Sequence, residues 1–101
     1  MKRHEFSWLA DNLETCVTIG GPNPNGFWHV THENVPGRED GKHIDDDAAS
    51  AWSTVAYVMC EHGATGEETD AMVQTAPENL EWCFDGQVGM YAYDKNEGWD
   101  G

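Results

Sequence analysis

Five histidines, three cysteines and nineteen carboxylates in 101 residues are the side chains whose chemistry reaches beyond packing. A structural zinc site needs four converging ligands. His29 and His32 have the spacing of some ligand pairs, but three steps along an extended chain turn their rings to opposite faces. Cys60 and His62, with one residue between them near a helix end, are set just as awkwardly. Calcium asks for oxygen ligands at alternating positions, a glycine at the sixth and a glutamate at the twelfth. The segment REDGKHIDDD, with Glu39, Asp40 and Asp45 to Asp47, does not supply that order. His43 beside Asp45, or Cys60 beside His62, would act as an acid–base or nucleophile pair only if the fold aimed both at a substrate. The chain has no GxSxG, HExxH, P-loop or GxGxxG. The loop GGPNPNG is glycine-bearing, but its prolines lack N–H groups and no helix start follows to hold a phosphate. The expectation is a protein without catalytic residues, bound metal or cofactor.

What remains is the charge itself. Nineteen acids against five bases give a net charge of −14 and a pI near 4.3. Direct binding to nucleic acid or to an anionic membrane needs clustered lysine and arginine, so both are disfavoured and a basic partner is favoured. The distribution is sharper than the total. Lys2, Arg3, Arg38, Lys42 and Lys95 all lie outside residues 43–94, a span holding eleven acids. Surfaces usually intersperse the two signs, and a one-signed field steers association with its opposite. An acidic housekeeping domain adapted to high salt would carry the same bias.

Composition also bounds the scaffold. Leu, Ile, Val and Phe supply only fifteen residues, which with this charge approaches a disordered composition, but five Trp, three Tyr and four Met restore a core. Each aromatic side chain buries roughly 150–250 Å². The length fits one domain over residues 1–101. An odd cysteine count without CxxC points to reduced thiols and a cytoplasmic setting. No stretch approaches the ~18 apolar residues of a membrane span, and no apolar run follows the first residues as in a signal peptide.

The elements that would position these charges are legible from periodicity. Leu13, Thr15, Val17 and Ile19 alternate with polar neighbours as in a half-buried strand, and Phe27 to His32 return after the GGPNPNG loop with Trp28 and Val30 on one face. The segment FSWLADNLE reads as a short strand carrying Phe6 and Trp8 inward, or as a helix opened by Ser7, the strand being preferred, and residues 33–44 as a polar loop. From Asp46 to about His62, Ala48, Trp52, Val55, Ala56 and Met59 form one helical stripe, stopped by Gly63. Thr65 and Glu68 fit a capping box opening a short helix that ends before Pro77. Leu80, Trp82 and Phe84, then Val88, Met90 and Ala92, describe a hairpin. Matching its apolar faces requires an odd loop at 85–87, which pairs Phe84 with Val88 and Trp82 with Met90 and leaves Glu81, Cys83, Tyr91 and Tyr93 outside. The expected class is α+β: an antiparallel sheet of four to five strands with one main central helix and a short second helix packed on one face.

On that frame the candidate partner-binding residues are Asp46, Asp47, Glu67, Glu68, Asp70, Glu81, Asp85, Tyr91 and Tyr93. Duplex DNA repeats one charge every ~3.4 Å along each strand, and carboxylates at i and i+4 of a helix stand ~5–6 Å apart. Alternate strand residues stand ~6.6–7 Å apart, so helix and hairpin acids together can imitate a phosphate field, with tyrosines as contact area for arginine. Each acid also has a structural use: Asp46 and Asp47 at a helix start, Glu68 in the capping box, Asp85 in a turn. In size and composition the chain is similar to phage inhibitors of host nucleic-acid machinery, such as anti-CRISPR and anti-restriction proteins. The expected function is a non-catalytic inhibitor or adaptor on the basic, nucleic-acid-contacting surface of another protein. The alternative is a small metal-binding domain or enzyme using the His and Cys side chains.

Overall fold

The computed structural model describes residues 2–35, 37, 39–85 and 89–94. In chain order the elements are β1 (Lys2–Ala10), β2 (Leu13–Gly21), β3 (Trp28–Glu33), β4 (Gly41–Asp45), α1 (Ala48–Glu61), α2 (Gly66–Thr75), β5 (Leu80–Asp85) and β6 (Gly89–Asp94). Strands β1 to β4 form an antiparallel four-stranded sheet in sequential order, and β5 and β6 form a separate two-stranded sheet. The class is α+β, with the second hairpin outside the main sheet.

The first hairpin closes on two residues, Asp11 and Asn12, at φ 51° and 65°. Asp and Asn tolerate this left-handed backbone, and such a turn matches the strand twist. The resulting register sets Phe6 beside Val17 and Trp8 beside Thr15. Trp8, Val17, Ile19 and Val30 are thereby buried on one face. At the end of β2 the backbone of Gly21, at φ 153°, meets the Trp28 ring so closely that an added Cβ would lie 2.7 Å from it. Only glycine admits that contact.

Residues 33–44 are not wholly loop. Gly41–Asp45 pairs with β3, from His32 opposite Gly41 to Trp28 opposite Asp45. This strand lies at the sheet edge with Lys42, His43 and Ile44 exposed. Edge strands take charged side chains and draw their stability from backbone pairing, so no apolar alternation marks them. The connection into it is closed by Asp40, whose Oδ1 accepts the Asn34 N–H at 2.9 Å.

Helix α1 packs across the inner face of the sheet. Trp52, 1% exposed, is its anchor, edge-on to Phe6 at 6.0 Å between ring centroids. Asp47 caps the helix by accepting the Ser50 N–H at 2.7 Å, one residue later than the expected start at Asp46. Beyond the last turn Gly63 adopts φ 91°, and the Ala64 N–H returns to the Met59 carbonyl at 3.0 Å, the wide bond of a Schellman stop. The expected capping box opens α2, with the Thr65 N–H donating to Glu68 Oε1 at 2.8 Å. Met72 then docks α2 into the core.

The second hairpin lies along another stripe of α1. Ser53 reaches Ala92 and Cys60 reaches the Met90 backbone, seven residues apart on one side of α1. Ser53 Oγ both accepts the Ala92 N–H at 2.8 Å and donates to the Ala92 carbonyl at 3.1 Å. The hairpin register is shifted from expectation. Phe84 faces Met90 and Trp82 faces Ala92, a slip of two residues that keeps the same faces together. The three-residue connection 86–88 lies outside the described residues, as does the Val88 expected opposite Phe84. Phe84, expected on the apolar face, is 81% exposed.

Candidate acidic interface

Three separate elements carry the acids singled out from the sequence. At the start of α1, Asp46 and Asp47 are exposed, but Asp47 is engaged as the cap. On α2, Glu67 and Asp70 are exposed, three residues apart and on neighbouring positions of one face. Glu68 is half-buried and its carboxylate is committed to the Thr65 backbone, so it contributes charge more than contact. The backbone of Asp85 pairs with Gly89 at the end of β5.

The hairpin brings four side chains together. Glu81 stands opposite Tyr93 and Cys83 opposite Tyr91, and cross-strand neighbours of this kind have Cβ atoms ~4.5–5.5 Å apart. Leu80 and Ala92 on the other face are buried in the core, which leaves these four on the outward face. Tyr93 donates its hydroxyl to Glu81, and this bond, with partial desolvation and the nearby Cys83, pushes the tyrosine up to about 12. The phenol thus keeps its proton well above neutral pH and can donate to Glu81, which stands opposite it on the hairpin surface.

A further acidic hollow was not expected. Between the β1–β2 turn and the C-terminal end of α1, Leu9, Ala10, Asp11, Glu61, His62 and Gly63 line a space of about 520 Å³. Two carboxylates, Asp11 and Glu61, line it at the negative end of a helix, where cations are favoured. The Trp8 indole N–H already takes the His62 carbonyl at 2.7 Å, fixing the turn to the sheet. Leu9, 73% exposed, offers apolar surface beside the charges. An arginine or lysine suits such a place, with its stem on Leu9 and its head at the carboxylates. Asp11 and Glu61 are distant in sequence, and only the docking of α1 on β1 joins them.

The His and Cys side chains are distributed otherwise. His32 is 4% exposed on the inner face, its ring centroid 5.4 Å from that of His43, while His29 lies on the outer face of the same strand. Among the described residues no three His, Cys, Asp or Glu side chains are grouped to hold a metal ion. Cys16, Cys60 and Cys83 are free thiols. Burial raises Cys16 and Cys60 above the ordinary thiol value, so both stay protonated and weakly nucleophilic at neutral pH. No described helix is long and apolar enough to cross a membrane. Comparison of the chain with protein-family models, with curated proteins and with solved structures finds no match.

Proposed function

We propose that this chain is a non-catalytic, cytoplasmic inhibitor or adaptor that docks on the basic, nucleic-acid-contacting surface of a partner protein and competes there with DNA or RNA. One observation carries the reading. Helices α1 and α2 and strands β5 and β6 contain no lysine or arginine, and they form one body, since α2 and β6 both pack on α1. The positive side chains described on the sheet, Arg3 and Lys42, lie on the face turned away from α1. Among the described residues the acidity of this helix-and-hairpin body is thus unmixed, which is the arrangement that steers a basic partner. High-salt adaptation would put unmixed acidity on every face.

In this reading Glu67 and Asp70, the Glu81–Tyr93 pair with Tyr91, and the hollow at Asp11 and Glu61 receive arginine and lysine side chains. The chain would act as anti-CRISPR or anti-restriction proteins of phages do, by occupying a nucleic-acid groove. The test is displacement of labelled duplex DNA or RNA from partners captured by the protein, with and without the triple reversal Glu61→Lys, Glu67→Lys and Asp70→Lys. Displacement that weakens with salt and is lost in the variant supports the proposal. A partner that keeps its nucleic acid while bound to the chain defeats it.

A further inference from the structure

The outer face of the four-stranded sheet contains a hollow of opposite character. Arg3, Thr18, Gly20, His29, Thr31 and Lys42 line a space of about 320 Å³. In a chain with nineteen acids, no carboxylate is among these lining residues. The strand register builds it from two adjacent rows: Arg3, Gly20 and His29 in one, and Thr18, Thr31 and Lys42 in the next. Arg3 and Lys42 stand on the two outer strands β1 and β4, and both line the same space as Gly20, which carries no side chain to fill it. Glu5 lies opposite Thr18 in register but does not line the hollow.

The groups present are nearly all donors. The guanidinium offers five N–H groups, the ammonium three, and the threonine hydroxyls one each. The state of His29 follows from Asn23. The Asn23 Oδ1 accepts the backbone N–H groups of Asn25 and Phe27, both at 2.9 Å, so its amide nitrogen must be the atom facing His29 Nε2 at 3.3 Å. Nε2 therefore accepts, and the ring proton sits on Nδ1, which has no acceptor among the described residues. Two cations and two hydroxyls around a glycine floor are complementary to a tetrahedral oxyanion. A water occupies ~30 Å³ of liquid, so the hollow has room for the oxyanion and for part of whatever carries it.

From this geometry we infer that the outer sheet face binds a phosphate group, as free phosphate or as a phosphate monoester, between Arg3 and Lys42. The site is independent of the acidic interface and lies on the other side of the sheet. It is tested by following backbone amide shifts of the isotope-labelled protein during titration with inorganic phosphate or with adenosine 5′-monophosphate, against sodium chloride at matched ionic strength. Saturable shifts centred on Thr18, Gly20, His29 and Thr31 are expected, with a Kd on the order of 1 mM. Arg3→Gln and Lys42→Gln, both at exposed positions, should each weaken binding about 5–10-fold with the circular dichroism spectrum unchanged. Tighter binding of the nucleotide identifies a monoester as the ligand, and equal binding identifies free phosphate. Shifts that stay linear and match those of chloride overturn the inference, as do saturable shifts that survive both substitutions.

Discussion

Replacing Ser53 with alanine should loosen the second hairpin from α1, by an amount that follows from two hydrogen bonds. Ser53 Oγ accepts from the Ala92 N–H at 2.8 Å and donates to the Ala92 carbonyl at 3.1 Å. In an antiparallel ladder the N–H and C=O of one residue point the same way, so both groups of Ala92 face the helix and cannot turn to β5. Ala92 is 7% exposed, and water reaches it poorly. Leaving a buried donor or acceptor unsatisfied costs about 1–3 kcal/mol, or roughly 2–6 kcal/mol for the two together. Alanine returns about 0.5 kcal/mol through its higher helix propensity. The net loss is about 1.5–5.5 kcal/mol, a fall of at least roughly 6 °C in the unfolding midpoint for a domain of this size. Denaturant unfolding measures the loss, and hydrogen exchange at the Ala92 amide locates it. A change below about 0.5 kcal/mol, the range of an indifferent surface substitution, would refute the idea that Ser53 pins β6 to the helix.

Two further outcomes follow from the hairpin pairing and the α1 cap. Tyrosinate absorbance should show Tyr93 ionising at about 12 against an ordinary 10.0, and Glu81→Ala should return it toward the lower value. Because the folded value is raised, the native state keeps its proton longer. Stability is unaffected below the unfolded value of 10.0 and falls as pH climbs from there to about 12. A Tyr93 that titrates normally would mean that the Glu81 bond does not form. Asp47→Ala should cost about 0.5–2 kcal/mol by removing the α1 cap, while Asp46→Ala, one residue outside it, should change stability by less than about 0.5 kcal/mol. Equal losses at the two positions in urea unfolding would show that the helix start is misassigned.

Elements with strong side-chain periodicity were legible in the sequence. The stripe from Ala48 to Met59 defined α1, and the Thr65–Glu68 pair defined the start of α2, because each signal is local. Alternation in the second hairpin fixed which side chains share a face, yet it could not fix the pairing, since a slip of two residues leaves both faces unchanged. Strand β4 was hidden because an edge strand is held by backbone bonds to β3 and shows no buried stripe. With β4 unread, Lys42 had no place beside Arg3, and the hollow on the outer face could not be assembled. Asp11 and Glu61 were missed for a related reason: their proximity is a property of how α1 docks on β1, which no local pattern encodes.

Glu67 and Asp70 were legible as exposed acids, and the outward face carrying Glu81, Tyr91 and Tyr93 emerged intact from parity alone. Glu68 and Asp47 have instead the structural uses that their positions implied. The proposed interface therefore rests on fewer contact residues than the acid count suggests, and on a run of sequence without lysine or arginine from α1 to β6.

The most direct measurement of the central claim is fluorescence anisotropy of labelled nucleic acid bound to a captured partner as this protein is added. A fall to the value of free nucleic acid is expected at low salt, with a weaker effect as salt rises and none with Glu61→Lys, Glu67→Lys and Asp70→Lys combined. Anisotropy that holds or rises while the partner binds the chain, or displacement indifferent to salt and to those reversals, would contradict it.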